Sequence, residues 1–134
     1  MLLMGGWLIT SCSRNNPAAG PLADQPVPIV VNQAERVGGD VTVAVERIRD
    51  SRCPANALCI RYGSADVDFT VTKGSDRQTG HLCLGECAPA MKAQDTTVVQ
   101  VGGSRYRLVL NEVRPYPGTG APDAPQEAVI RILP

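Results

Sequence analysis

The stretch SADVDFTVTK, residues Ser64–Lys73, decides the fold class. Four apolar residues, Ala65, Val67, Phe69 and Val71, alternate with polar residues without a slip. Successive side chains of a β-strand point to opposite faces, so this period of two predicts a strand with one buried and one solvated face.

The same pattern, followed outward, predicts further short strands. In Asp40–Arg49, alternating valines share one face until the phase shifts at Ile48, which predicts a β-bulge near Glu46. Pro28 suits an edge strand at Val27–Val31. Four more strands are predicted at Arg77–Leu82, Thr97–Val101, Arg105–Val113 and Gln126–Leu133. With thirteen glycines, eleven prolines and no helical period, the chain predicts a single small all-β domain, a sandwich or barrel of about seven strands.

The N-terminal residues predict export. Met1–Ile9 is apolar, and Ile9-Thr10-Ser11-Cys12 resembles the lipobox of bacterial lipoproteins, whose signal is removed before a cysteine that becomes acylated. We therefore expect a signal peptide at 1–11 with lipidation at Cys12. The composition of 12–28, rich in Asn, Pro and Ala, predicts a flexible tether, which leaves 29–134 as the β domain.

The expected location is the bacterial cell envelope, at the outer membrane or cell surface and facing the periplasm or exterior. The lipid anchor would make the membrane the first partner of the chain. A formal net charge of zero disfavours nucleic-acid binding, which normally needs a basic surface.

Four cysteines remain after Cys12, and they form two local pairs: Cys53 with Cys59, and Cys83 with Cys87. Four cysteines allow three connectivities, of which local pairing is the simplest. Outside the cytoplasm, disulfides that staple the loops are the expected state. The alternative is a zinc or copper(I) site that combines His81 with the cysteines, although no C-x-x-C spacing occurs.

Other candidate chemistry is sparse. His81 is the only histidine, so a hydrolase would have to use it, and no G-x-S-x-G segment supports an esterase. Asp66 and Asp68 lie on the polar face of the best strand. If that strand pairs antiparallel with the preceding one, Arg47 and Arg49 meet these carboxylates as ordinary cross-strand ion pairs.

A surface for an anionic partner is a further hypothesis. Four arginines surround the first cysteine loop: Arg47, Arg49, Arg52 and Arg61. Arginine makes bidentate contacts to carboxylates and phosphates. Tyr116, held between two prolines, is either part of such a recognition surface or a cap over the open end of the core.

Two segments resemble a family of small uncharacterised bacterial lipoproteins. These commonly carry DSRCP, then a second cysteine followed by Val or Ile, Trp, Ala and Gly, and later V-x-P-Y-P. Here the matches are Asp50–Pro54, Cys59, Gly63 and Val113–Pro117. The chain departs from the pattern at residues 61 and 62, which are Arg and Tyr instead of Trp and Ala. The resemblance supports the expected location and fold, and it implies no activity.

The leading hypothesis is a membrane-anchored envelope lipoprotein with a non-catalytic β domain that binds a protein or glycan. The alternative is an envelope metal-handling protein that uses His81 and the cysteines. No catalytic residue and no cofactor are predicted.

Overall fold

The computed structural model describes residues 25–121 and 123–134. The predicted signal peptide, Cys12 and most of the predicted tether lie outside the described residues. The described chain is all-β, with nine strands rather than about seven and no helix. The strands are β1 (Val27–Val30), β2 (Ala34–Gly38), β3 (Val41–Asp50), β4 (Ser64–Lys73), β5 (Asp76–Cys87), β6 (Ala90–Lys92), β7 (Asp95–Val101), β8 (Ser104–Arg114) and β9 (Glu127–Leu133).

The strands form two antiparallel sheets, so the fold is a sandwich. One sheet has the order β1-β9-β8-β7 and the other the order β2-β3-β4-β5-β6. β1, which contains Pro28, is an edge strand as predicted, because a proline lacks the N–H that a central strand needs. The two strands that the sequence did not predict, β2 and β6, are also edges and are short.

The core lies between the sheets and is almost entirely aliphatic. The alternating residues of β4 that predicted a buried face are all buried, and so are the three alternating valines of β3. Phe69, the one phenylalanine of the chain, is 1% exposed and lies opposite Gly80 of β5. A glycine there leaves room for the ring on the partner strand.

The predicted β-bulge is confirmed, and it has a structural consequence. The register between β3 and β4 shifts between Val45 and Arg47. After the shift, Ile48 and Asp50 take the inward phase and pair with inward-facing residues of β4. The bulge therefore turns the Asp50 carboxylate towards the interior at the end of the strand.

The two ends of the sandwich differ in character. At one end, here called the hairpin end, tight turns join β2 to β3, β4 to β5 and β7 to β8. The other end, here called the loop end, carries the connections 51–63, 88–89 and 115–126. Both disulfides and both motifs of the lipoprotein resemblance lie at or beside the loop end.

Side chains of β5 and β7 close one seam between the sheets. Asp95 Oδ2 accepts a hydrogen bond from the Cys83 amide at 2.9 Å, and Gln78 Oε1 accepts one from the Gln100 amide at 2.7 Å. Nearer the hairpin end, Asp76 Oδ2 accepts from the amide of Gly102 at 2.7 Å. These bonds satisfy backbone donors that an open seam would leave exposed.

Candidate functional site

The loop end carries two short loops, and each is closed by a disulfide. Cys53 pairs with Cys59, with Cα atoms 5.8 Å apart, and Cys83 pairs with Cys87, with Cα atoms 6.0 Å apart. Local pairing is therefore confirmed among the three connectivities. Each loop is short, so the expected stabilisation is about 2 kcal/mol from reduced entropy of the unfolded chain.

Arg52 lies at the centre of the loop end and is only 7% exposed. Its guanidinium donates two hydrogen bonds to Asp50, Nε to Oδ1 at 2.9 Å and Nη2 to Oδ2 at 2.7 Å. Nη2 also donates to the Val113 carbonyl at 2.9 Å. Asp50 ends a strand of one sheet and Val113 lies in the other, so Arg52 fastens the two sheets together. Burial lowers the pKa of Arg52, but the hydrogen bonds to Asp50 and its negative charge outweigh burial, so the pKa is raised above its ordinary value.

The Tyr116 ring packs against the guanidinium group of Arg52. The Arg52 guanidinium carbon lies 4.6 Å from the Tyr116 ring centroid, a cation–π contact. The Tyr116 hydroxyl donates to the Cys53 carbonyl at 3.0 Å. A hydrogen bond with Tyr62, then burial, raises the pKa of the Tyr116 phenol above its ordinary value of 10.0. Tyr116 is thus half-buried over the end of the core, where its ring holds the first cysteine loop.

The two motifs that carry the lipoprotein resemblance therefore meet in space. Besides the Arg52 and Tyr116 contacts, the Ala55 amide donates to the Pro117 carbonyl at 2.8 Å. DSRCP and VRPYP form one inter-sheet clasp, defined here as Asp50, Arg52, Cys53, Val113 and Tyr116. The sequence grouped these residues by resemblance alone, and their contacts give the pattern a structural reason.

The arginines predicted as a partner surface do not form one patch. Arg52 is buried in the clasp, whereas Arg61 is exposed at the loop end. Arg47 and Arg49 lie on the outer face of the five-stranded sheet, where they pair in register with Asp68 and Asp66.

The outer face of that sheet carries a small ionic cluster around His81. The His81 Nδ1 atom lies 2.9 Å from Asp68 Oδ1, and Nε2 lies 3.1 Å from Asp66 Oδ1. Arg49 Nη2 lies 4.0 Å from Asp68 Oδ2. The predicted register of arginines opposite aspartates across β3 and β4 is confirmed, but among the described residues only Arg49 of the two arginines makes an ion pair with these carboxylates, and His81 joins them from β5.

This cluster has the geometry of ion pairing rather than of a nucleophile and its base. Both His81 nitrogens face carboxylates, and the nearby Ser64 hydroxyl donates to Asp66 at 2.9 Å instead of to the imidazole. A nucleophile–base pair would need a hydroxyl or thiol within hydrogen-bond reach of the ring. In the part of the chain that the structure describes, no group of three or more His, Cys, Asp or Glu side chains is arranged to hold a metal ion.

The most unusual side chains of the loop end are ones that the sequence analysis did not single out. Leu58 and Ile60, which flank Cys59, are completely exposed. Next to them, Arg61 lines a shallow cleft with Met91, which is also exposed. A signal was available in the sequence, because Leu58 lies inside the Cys53–Cys59 loop and Ile60 directly after it, both outside any alternating strand pattern.

Neither the protein-family models, nor the curated proteins, nor the solved structures contain a match to this chain. Among the described residues, no helix has the length and apolar character needed to cross a bilayer.

Proposed function

We propose that the chain is a lipid-anchored envelope protein, acylated at Cys12, whose β domain binds a protein partner through its loop end. The lipobox-like ITSC segment and the disulfides support export to an oxidising compartment. The observation that carries the binding role is the complete exposure of Leu58 and Ile60 on either side of Cys59, at the end of one disulfide-closed loop.

Such exposure is costly in a free protein and useful in a complex. Burying a leucine or isoleucine side chain contributes about 1.5–3 kcal/mol. Leu58 and Ile60 are not buried within their own domain, so this favourable free energy is not gained on folding. A partner with an apolar pocket would bury them and gain it on binding. Apolar anchors surrounded by polar groups are the usual centre of a protein–protein interface, and Arg61 beside them supplies a polar contact.

The loop is held ready for binding. The Cys53–Cys59 disulfide closes it, and Tyr116 and the Pro117 carbonyl bind its first half. A binding loop that is already ordered loses less conformational entropy when a partner docks. The inter-sheet clasp thus supports the loop without belonging to the contact surface itself.

A protein partner fits this surface better than a glycan. The two most exposed side chains are aliphatic, and the Tyr116 ring is engaged, since it lies against Arg52 and its hydroxyl donates to the Cys53 carbonyl. Aliphatic side chains are buried most favourably in an apolar pocket, which a folded protein provides.

Site-specific photo-crosslinking in intact cells tests the partner. A photoreactive residue replacing Leu58 should give one discrete crosslinked product, and Ile60→Ser in the same chain should remove it because the second anchor is lost. The matched control places the photoreactive residue at Ser75, in a turn at the hairpin end. Equal products from positions 58 and 75, or a product that is insensitive to Ile60→Ser, would refute the proposal.

The anchor is tested separately by labelled palmitate. The label should enter the natural chain and fractionate with membranes, whereas Cys12→Ser should take up no label. Absence of label from the natural chain, with the protein in the soluble cytosolic fraction, would overturn the proposed location.

A further inference from the structure

The two disulfides of the loop end differ in their exposure to solvent. Cys83 and Cys87 are 9% and 7% exposed, whereas Cys59 is exposed and Cys53 is half-buried. A disulfide is reduced by a thiolate that attacks one of its sulfur atoms, so the rate of exchange depends on access to that atom. The Cys53–Cys59 bridge is therefore accessible to thiols in the folded protein, and the Cys83–Cys87 bridge is shielded from them.

The surroundings of Cys59 leave room for a large reagent. Every residue from 55 to 62 is exposed, so a folded protein that carries a reactive thiol could approach Cys59 without opening the sandwich. Cys53 is the less accessible partner, and its carbonyl is held by the Tyr116 hydroxyl at 3.0 Å. Cys59 is therefore the cysteine at which attack is expected.

The disulfide is the bond that holds the second half of this loop. The first half has other contacts as well, since the Cys53 amide donates to the Tyr62 carbonyl at 2.5 Å. In the part of the chain that the structure describes, residues 58–61 make no backbone hydrogen bond. Loss of the S–S bond would therefore free the segment that carries Leu58 and Ile60 while the inter-sheet clasp stays in place.

From this contrast we propose that the Cys53–Cys59 disulfide is a site of thiol–disulfide exchange, which the dithiol of an envelope oxidoreductase reduces, and that its reduction weakens binding of the partner. The second half of this inference rests on the proposed docking role of Leu58 and Ile60. Side chains on a freed segment lose conformational entropy on binding, whereas a closed loop has already lost it. The oxidised protein is thus the form that binds the partner tightly.

The exchange has two steps. A thiolate of the reductant attacks the Cys59 Sγ atom, a mixed disulfide forms, and the Cys53 sulfur leaves as a thiolate that takes a proton from water. The second thiol of the reductant then attacks the reductant's own sulfur in the mixed disulfide, which releases Cys59 as a thiol. The chain gains two electrons and two protons, and the dithiol is oxidised to a disulfide.

Timed alkylation tests the site without any partner. The folded Cys12→Ser chain is treated with dithiothreitol, quenched with excess N-ethylmaleimide at intervals and mapped by peptide mass spectrometry. Cys53 and Cys59 should be labelled about tenfold faster than Cys83 and Cys87, which are the matched control within the same molecule. The β-sheet circular dichroism should persist while the first pair is labelled. Equal rates, or labelling only as this signal is lost, would overturn the proposal.

A trapping experiment tests which sulfur is attacked. Thioredoxin whose second active-site cysteine is replaced by serine cannot complete the second step, so it stays attached as a mixed disulfide. After quenching with N-ethylmaleimide, mass mapping should find thioredoxin on Cys59 and the maleimide on Cys53. Capture at any other cysteine of the chain, or no capture, would contradict the assignment.

Photo-crosslinking from position 58 tests the effect on binding. Cys53→Ser/Cys59→Ser should lower the yield of the crosslinked product about fivefold. The matched control, Cys83→Ala/Cys87→Ala, also removes one bridge and should retain the product.

The outcomes separate this inference from the proposed function. Unchanged yield in the first double variant, or equal losses in both, would refute the effect of reduction on binding. If the chain with both bridges intact gives no product, the docking role itself fails, and the alkylation result still decides whether the exchange site exists.

Discussion

Arg52 shows how one residue can hold a loop and two sheets at once. The Asp50 side chain that it binds is 4% exposed, so the pair is shielded from water. Arg52→Met would leave that carboxylate buried without a cation and the Val113 carbonyl without its donor. Breaking one side of a buried pair costs about 3–5 kcal/mol, and we expect a loss of that size in urea unfolding followed by circular dichroism.

Two variants make this prediction specific. Arg61→Met removes an exposed arginine from the same loop region and should change the free energy of unfolding by no more than about 0.5 kcal/mol. Asp50→Asn/Arg52→Met leaves no charge buried and should recover part of the loss. Equal unfolding midpoints for Arg52→Met and Arg61→Met would contradict the role of the clasp.

Tyr116 gives a pH-dependent readout of the same cluster. The hydrogen bond with Tyr62 and burial favour the neutral phenol, and the positive charge of Arg52 opposes them without reversing the shift. Because the folded pKa lies above 10.0, the stabilising contribution is complete below that value and is lost as pH rises through the folded pKa.

Near-ultraviolet absorbance can follow this titration. The difference between the natural chain and Tyr116→Phe should show a phenolate that appears above pH 10.0, and Tyr62→Phe should move it downward. A difference titration at or below pH 10.0 in the natural chain would show that the hydrogen bond with Tyr62 is not maintained in solution.

At the scale of the strands, the pairing of Phe69 with Gly80 fixes the fit between β4 and β5. A Cβ atom at position 80 would collide with the Phe69 ring at its Cζ atom. Gly80→Ala should therefore destabilise the domain by about 1–3 kcal/mol through overpacking. Adding Phe69→Leu to Gly80→Ala should recover part of that loss in thermal unfolding, whereas purely additive losses would contradict the steric explanation.

The strands that sequence reasoning found and missed differ in one physical respect. β3, β4, β8 and β9 bury alternate residues, so their period is visible in the sequence, including the phase shift at the bulge. β2 has one buried residue among five, and β6 has none among three. Those two strands are defined by hydrogen bonds to a neighbouring strand, which leave no apolar pattern to read.

The candidate site divides in the same way. The disulfide pairing could be predicted because the paired cysteines are close in the sequence. The placement of arginines opposite aspartates could be predicted from the antiparallel register of β3 and β4. The burial of Arg52 could not, because its partners Asp50 and Val113 belong to different sheets that come together only in the sandwich. The exposure of Leu58 and Ile60 was missed because the prediction of buried and exposed faces followed alternating strand patterns, and these two residues lie outside them.

At the scale of the whole molecule, the surfaces are separated by the sandwich itself. The exposed aliphatic side chains lie at the loop end, and the ionic cluster around His81 lies on the outer face of the five-stranded sheet. This separation allows each surface to be altered without changing the other.

The oxidation state of the cysteines decides between the binding protein and the metal-handling alternative. A protein that handles zinc or copper through His81 and the cysteines needs thiolates, whereas the structure places all four sulfur atoms in disulfides. The Cys12→Ser chain, isolated without reductant and denatured, should titrate no free thiol, and it should titrate four after reduction. Reduction should also lower the free energy of unfolding by about 2 kcal/mol for each disulfide. Four free thiols before reduction, together with a bound metal that is released when they are alkylated, would show a metal site in place of the disulfides. That result would favour the alternative function.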